Sequence, residues 1–229
     1  MKRLVFLTGA GMSAESGIST FRDAGGLWEN YDVRKVASIE GWYENPELVL
    51  RFYNERRAQL ANVEPNKGHL IIAELEREFK VSIVTQNVDN LHERAGSSEV
   101  VHLHGELTKA CNESKTQVHD IGFNPILPGD KAEDGSRLRP FIVWFGEAVP
   151  MIQNAAEIVS KADIVVIIGT SMQVYPAAGL IHYVKRGAPL YLIDPNDVPA
   201  PNNVIVIREK ASTGMEILKE KLLSIPFGT

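Results

Sequence analysis

The sequence predicts an α/β fold: a doubly wound, Rossmann-like parallel sheet with a smaller module formed by two insertions. Three observations carry this prediction. Apolar runs of strand length at 4–7, 81–85, 164–169, 190–193 and 204–207 are rich in Val and Ile and hardly alternate with polar residues. Strands that read this way are buried on both faces, as in a parallel sheet covered by helices. Helically spaced stretches lie between them, and a glycine-rich turn follows the first run. Strands alternating with helices are the pattern of a doubly wound sheet.

The elements follow in chain order. Residues 4–7 form the first strand and run into Gly9-Ala10-Gly11. The stretch 46–61 carries Leu48, Val49, Phe52 and Leu60 at helical spacing, and 67–79 carries Leu70, Ile71, Leu75 and Phe79. Residues 81–85 form the next strong strand and 99–103 a weaker one. Helices at 151–161, 176–185 and 213–224 alternate with the last three strands. Two regions break the pattern. Residues 24–65 separate the first two strong strands, and 109–139 is polar and rich in turn dipeptides such as Pro128-Gly129 and Asp134-Gly135. We therefore assign 1–23, 66–108 and 140–229 to the Rossmann-like domain, and 24–65 and 109–139 to the small module.

Composition excludes several classes. The chain has 229 residues, 44% hydrophobic and 23% charged, too apolar for a disordered protein. A net charge of -5 argues against a nucleic-acid partner held by broad electrostatics. The one cysteine, Cys111, excludes an intrachain disulfide framework and a zinc site of three or four thiolates. Met1-Lys2-Arg3 resembles the start of a signal peptide, but the apolar run behind it meets Thr8-Gly9 too soon for a signal core or a membrane span. The expectation is a cytoplasmic protein with no membrane association.

Three clusters point to chemistry. Gly9, Gly11 and Ala14 occupy the places of the G-x-G-x-x-G/A fingerprint that brings backbone close to a pyrophosphate. The same residues also suit a plain strand-to-helix turn. No ribose-binding acid stands at the end of a second strand about 20 residues on, so an ordinary dehydrogenase is disfavoured. After the strand at 81–85 comes Gln86-Asn87-Val88-Asp89-Asn90-Leu91-His92. It reads either as a set of polar ligand contacts beyond a strand's carboxyl end or as a capped helix start. His102 and His104 share a face of an extended segment, and Gly105 gives a ligand access to His104, the better general-base candidate. His69, His92, His119 and His182 lack such context and read as structural.

Together these segments resemble the sirtuin family of NAD-dependent protein lysine deacylases. The resemblance rests on Gly9-Ala10-Gly11-Met12-Ser13, Gly17-Ile18-Ser19-Thr20-Phe21-Arg22, Thr85-Gln86-Asn87-Val88-Asp89-Asn90-Leu91-His92 and His104-Gly105. Further along it rests on Pro140 with Trp144-Phe145-Gly146-Glu147, on Gly169-Thr170-Ser171, and on Val174 with Pro176-Ala177-Ala178. It implies that NAD is consumed as a co-substrate. Gly9, Ala10, Gly11, Ser13, Ala14, Gly169, Thr170 and Ser171 would cradle its phosphates and the adjoining ribose. Arg22, Gln86, Asn87 and Asp89 would hold nicotinamide and its ribose, Asn87 within the catalytic centre. Phe21 would shield the reacting carbon from water. His104 would act as general base on the ribose hydroxyls, giving free lysine, nicotinamide and O-acyl-ADP-ribose. The acylated lysine of a protein or peptide would lie between Phe145-Gly146-Glu147 and the loop bearing Val174, paired through main chain. Many members have an Asn on the adenosine ribose near 192–196; here Leu192 or Asp194 falls there, with Asp194 able to accept ribose hydroxyls and Lys210-Ala211 bordering the adenine.

Tyr53 and Arg56 stand three apart on the helix at 46–61, hence on one face. They match the pair with which one sirtuin subgroup grips the distal carboxylate of acidic acyl groups. This implies a desuccinylase and demalonylase that also deacetylates. The chain departs from the family at zinc: it has one cysteine where most members have four. No zinc is expected. A protein ADP-ribosyltransferase and a non-catalytic NAD or ADP-ribose binding module are the alternatives.

Overall fold

The computed structural model describes residues 1–18, 31–170, 175, 177–198 and 203–224. Its main sheet holds six parallel strands: β1 (Arg3–Thr8), β2 (Lys80–Thr85), β3 (Val100–His102), β7 (Ile164–Ile168), β8 (Leu190–Ile193) and β9 (Val204–Ile207). They lie in the order β3-β2-β1-β7-β8-β9. The order reverses between β1 and β7, which opens a crevice at the carboxyl ends of the strands, the usual ligand position in such sheets. All six strand runs read from the sequence are present. Their uniform apolarity has a simple cause. One core layer packs Leu4, Phe6, Ile83 and Val166 with Met215 and Leu218, and the other packs Val5, Leu7, Val165 and Ile167 with Ala155 and Val159.

Helices cover both faces. α4 (Lys67–Glu74) and α7 (Ala211–Ser224) lie against the first layer, and α6 (Ile152–Lys161) against the second. α4 starts at a capping box: Asn66 accepts from the Gly68 and His69 amides, and the His69 ring accepts from the Asn66 amide. Beyond Glu74 the expected helix tightens into a 3₁₀ turn over Leu75–Arg77. The helix expected at 176–185 is also a 3₁₀ segment, Ala177–Tyr183, rather than an α-helix.

The remaining elements gather beside this sheet. α1 (Val33–Val36), α2 (Ile39–Glu44) and α3 (Pro46–Leu60) share a core with Leu107, Ala110, Ile126, Ile142 and Trp144. The stretch 109–139, read as loop, contributes to a small antiparallel sheet of order β5-β4-β6: β4 (Gly105–Cys111), β5 (Val118–Asp120) and β6 (Arg139–Ile142). These strands escaped the sequence reading because two have only three or four residues and β5 is not buried. Among the described residues no helix is long and apolar enough to cross a membrane.

Candidate active site

The tips of β1, β2 and β7 are stitched together at the crevice. The Gly9 amide donates to the Ile168 carbonyl at 3.0 Å, and the Gly11 amide to the Gly169 carbonyl at 2.8 Å. A Cβ on Gly11 would stand 2.6 Å from the Gly169 Cα, and one on Gly9 2.7 Å from the Thr170 Cβ. Gly169 itself has φ +59°, a left-handed conformation that glycine adopts without strain. These glycines let two loops touch backbone to backbone. The amides of Gly9, Gly11, Met12 and Ser13 all donate to protein carbonyls. Ala10 and Ala14 open two successive 3₁₀ turns, Ala10–Met12 and Ala14–Ser16, in place of a long helix. Asn66 braces the loop by donating to the Met12 carbonyl at 2.8 Å.

The polar cluster after β2 closes over this loop. Asn87 is buried and its side-chain amide donates to the Gly9 carbonyl at 3.0 Å and to Ser13 Oγ at 3.1 Å. Ser13 Oγ in turn donates to the Asp89 carboxylate at 3.0 Å. Burial pushes the Asp89 carboxyl up; bonds from the Leu91 amide and Ser13 oppose that. The Leu91 amide donates to this carboxylate at 3.2 Å, a turn bond just ahead of α5 (Leu91–Arg94), whose N-cap Asn90 makes no side-chain cap bond. Gln86 donates to Thr170 Oγ1 at 3.1 Å, across to β7.

His104 lies half-buried between β3 and β4, and its Nδ1 meets the Gln86 carbonyl at 2.9 Å. A carbonyl can only accept, so Nδ1 carries the proton and Nε2 keeps its lone pair. Burial lowers the His104 pKa, with the Gln86 bond opposing. A neutral imidazole with a free Nε2 can take a proton near neutral pH. Gly105 follows with φ +82°, and a Cβ there would collide with the Phe141 carbonyl. His102 is engaged elsewhere, with Asn87 O at 3.0 Å and Glu93 at 2.8 Å. His92 lies buried beneath β1 with Nε2 3.2 Å from Thr8 Oγ1, and His69 packs against it at 4.8 Å between ring centroids.

α3 presents the acyl candidates. Tyr53 is buried, and its hydroxyl accepts the Trp144 indole N–H at 3.0 Å. Burial raises the phenol to about 12, so it stays protonated. Arg56 stands over the Phe52 ring at 5.7 Å. Burial lowers its pKa, while Tyr53 and Asp89 act on its charge in the opposite sense. Phe145 is exposed, and its amide and carbonyl pair with the Ala37 carbonyl and the Ile39 amide. Gly146 is exposed beside it with φ +89°. The Glu147 side chain turns inward instead. It accepts from both Arg139 terminal nitrogens at 3.0 and 3.1 Å, from Lys115 at 2.8 Å and from the Trp144 amide at 2.8 Å. Asp194 is buried and turns its carboxylate to the Asn196 amide and side chain at 2.9 and 3.1 Å, while Ala211 begins α7. Phe21, Arg22, Ser171 and Val174 lie outside the described residues.

Two residues near the site had no role in the sequence reading. Trp144 and Arg139 are both buried, and the guanidinium lies 3.7 Å from the indole centroid. The available signal was generic: a buried indole N–H and a buried guanidinium each need partners.

A thiolate metal site does not fit these residues. Cys111 is buried, burial raises its thiol to about 11, and its sulfur faces the Pro140 carbonyl at 3.8 Å. Among the described residues no three His, Cys, Asp or Glu gather in a way that could hold a metal ion. At this end of the module Asn112 is the hub, donating to Ser114, Thr116 and Asp134 and accepting from the Gln117 amide.

Comparison with known proteins gives a consistent result. Residues 9–176 match the model of the Sir2 family. The chain is 60% identical to an NAD-dependent protein deacylase of Bacteroides thetaiotaomicron, covering 99% of this chain and 100% of that one. It is 52% identical to an NAD-dependent protein deacylase of Helicobacter pylori strain 26695, over 98% and 99% of the two chains. Among solved structures, a mutant Sir2 homologue in complex with ADP-ribose superposes with a TM-score of 0.90 at 40% identity, covering 99% of this chain and 95% of the other. A Sir2 homologue with NAD gives a TM-score of 0.88 at 41% identity, over 97% and 90%.

Proposed function

The chain belongs to the Sir2, or sirtuin, family, and from that premise we propose that it removes acidic acyl groups, succinyl and malonyl, from protein lysines. It is an NAD-dependent protein-lysine deacylase. The acidic preference is carried by one observation: Tyr53 and Arg56 lie one turn apart on α3, and the arginine's charge is coupled to both Tyr53 and Asp89. A guanidinium beside a protonated phenol can grip a carboxylate that acetyl-lysine lacks. Acetyl groups remain substrates, since the rest of the site does not depend on the distal charge.

The residues suit NAD. Gly9 and Gly11 let their loop pack directly on Gly169 and Thr170 at the crevice, where a Cβ on either glycine would collide with the opposite loop. In this reading Ala10, Ser13, Ala14 and Gln86 would contact the dinucleotide, with Asp194 and Ala211 at its adenosine end. When bound, NAD supplies the electrophilic ribose carbon and receives the acyl group. Asn87 and Asp89 orient the nicotinamide ribose through polar groups already held by Ser13 and Gly9. His104 Nε2 takes a proton from a ribose hydroxyl, its tautomer set by the Gln86 carbonyl. Phe21 and Arg22, with Ser171 and Val174, complete the cofactor and peptide contacts in this reading. The main chain of Phe145 is taken up by Ala37 and Ile39, so the exposed Gly146 would offer main chain to the acyl-lysine strand beside the Phe145 ring, whereas Glu147 acts through its internal bonds. The small module is proposed to need no zinc and the protein to work in the cytoplasm.

The test compares acetyl-, malonyl-, succinyl- and glutaryl-lysine on one peptide with NAD, for the native protein and Arg56→Met. The loss of a hydrogen bond to a charged group, roughly 1.5–3 kcal/mol, predicts a fall of about 10–100-fold in kcat/KM for succinyl and malonyl relative to acetyl. An equal fall for all four acyl groups would sink the carboxylate-clamp reading.

A further inference from the structure

We propose that Trp144 is a specificity-positioning residue: its indole N–H occupies the acceptor side of the Tyr53 hydroxyl, so that the phenol's own hydrogen is presented to the carboxylate of an acidic acyl group. The inference rests on the carboxylate-clamp reading and adds to it the group that aims the clamp.

An indole N–H can only donate, so in the 3.0 Å Trp144–Tyr53 contact the phenol oxygen accepts. Among the described residues this is the hydroxyl's one hydrogen bond. Its hydrogen therefore has no protein acceptor there, although the side chain is buried. A buried hydroxyl that donates to nothing costs stability, and an acceptor arriving with substrate relieves that cost. Acetyl has no such acceptor at its far end, whereas succinyl and malonyl carry a carboxylate. Arg56, one turn along the same helix, supplies the matching charge.

Trp144 is held so that it cannot turn away. Its ring is stacked under the Arg139 guanidinium at 3.7 Å and lies against Trp42 at 5.3 Å between ring centroids. Its amide donates to Glu147 at 2.8 Å, and the same carboxylate holds Arg139 through both terminal nitrogens. One carboxylate thus fixes the backbone of the tryptophan and the cation on its face. A cation over the ring draws electron density from the indole and strengthens its N–H as a donor. The internal turn of Glu147, next to the exposed Phe145-Gly146 segment, acquires a purpose here.

The experiment uses Trp144→Phe, which keeps an aromatic ring under Arg139 and removes the N–H. It is run beside Tyr53→Phe, Arg56→Met and the double variant Trp144→Phe/Tyr53→Phe. The readout is the ratio of kcat/KM for succinyl-lysine to that for acetyl-lysine on one peptide. Trp144→Phe should lower this ratio about three- to tenfold, mainly through KM for the succinyl peptide, as expected for one lost hydrogen bond. The double variant should be no more impaired in the ratio than Tyr53→Phe alone, because the tryptophan acts through that hydroxyl. An unchanged ratio in Trp144→Phe while Arg56→Met lowers it overturns this inference and leaves the clamp standing. Additive losses in the double variant also overturn it. An unchanged ratio in Arg56→Met overturns both. Thermal unfolding of Trp144→Phe separates a folding defect from a change in selectivity, since a general loss of structure lowers both acyl activities together.

Discussion

As the proposed general base, His104 has its tautomer set before any ligand arrives. The Gln86 carbonyl takes its Nδ1 proton, and burial holds the ring neutral. The sign of the pH dependence follows. The active form is the neutral one and its pKa lies below the ordinary 6.5, so activity is retained at neutral pH and lost as pH falls through that lowered value. A kcat/KM profile of the native enzyme should place its acid limb below pH 6.5. His104→Ala should lower kcat by about 10²–10⁴-fold, the range for removal of a positioned general base. NAD affinity, measured by calorimetry, should change far less, because Asn87 and Asp89 are held by Ser13 and Gly9 rather than by the imidazole.

At the scale of elements, the segment after β6 is tied to the small antiparallel sheet through charge. Glu147 is engaged by Arg139 on β6 and by Lys115 in the turn before β5. Burial raises its carboxyl, but the bonds from Arg139, Lys115 and the Trp144 amide outweigh that and hold it below the ordinary carboxylate value. The Arg139 side chain is only 3% exposed, so it depends on this partner. Glu147→Ala strands a buried guanidinium, and stranding a buried charge costs roughly 3–5 kcal/mol. Urea unfolding at neutral pH should read a loss of that order. Lys115→Ala, which leaves Arg139 paired, should cost much less.

At the scale of the molecule, the six-stranded sheet brings β1, β2 and β7 to one crevice, and the second module lays α3 beside it. The two share Leu91 and Val88 in one apolar cluster with Trp42, Phe52 and Trp144. The module is thus held by packing and by the Asn112 hub. Purified protein should carry substoichiometric zinc by elemental analysis, and EDTA should leave both Tm and deacylation unchanged. Stoichiometric zinc that is needed for folding would contradict this account.

The main sheet was legible in the sequence because strands buried on both faces must be apolar throughout, and runs such as 164–168 announce themselves. Gly9, Gly11, Asn87, Asp89 and His104 were legible because each needs its residue type for a backbone approach, a polar contact or a proton. The small sheet was not, since β5 and β6 are short and their burial depends on α3 and Trp42 from elsewhere in the chain. Nor was the use of the glycine-loop amides, which Ile168 and Gly169 capture from a strand about 160 residues away. The sequence by itself determined the fold class and the placing of Tyr53 and Arg56 on one helix face. That the Tyr53 oxygen accepts from Trp144, and that Glu147 turns inward, were decided only by tertiary structure. Both depend on partners, Trp144 and Arg139, that reach them through space, and a hydrogen bond has an orientation only once its donor is in place.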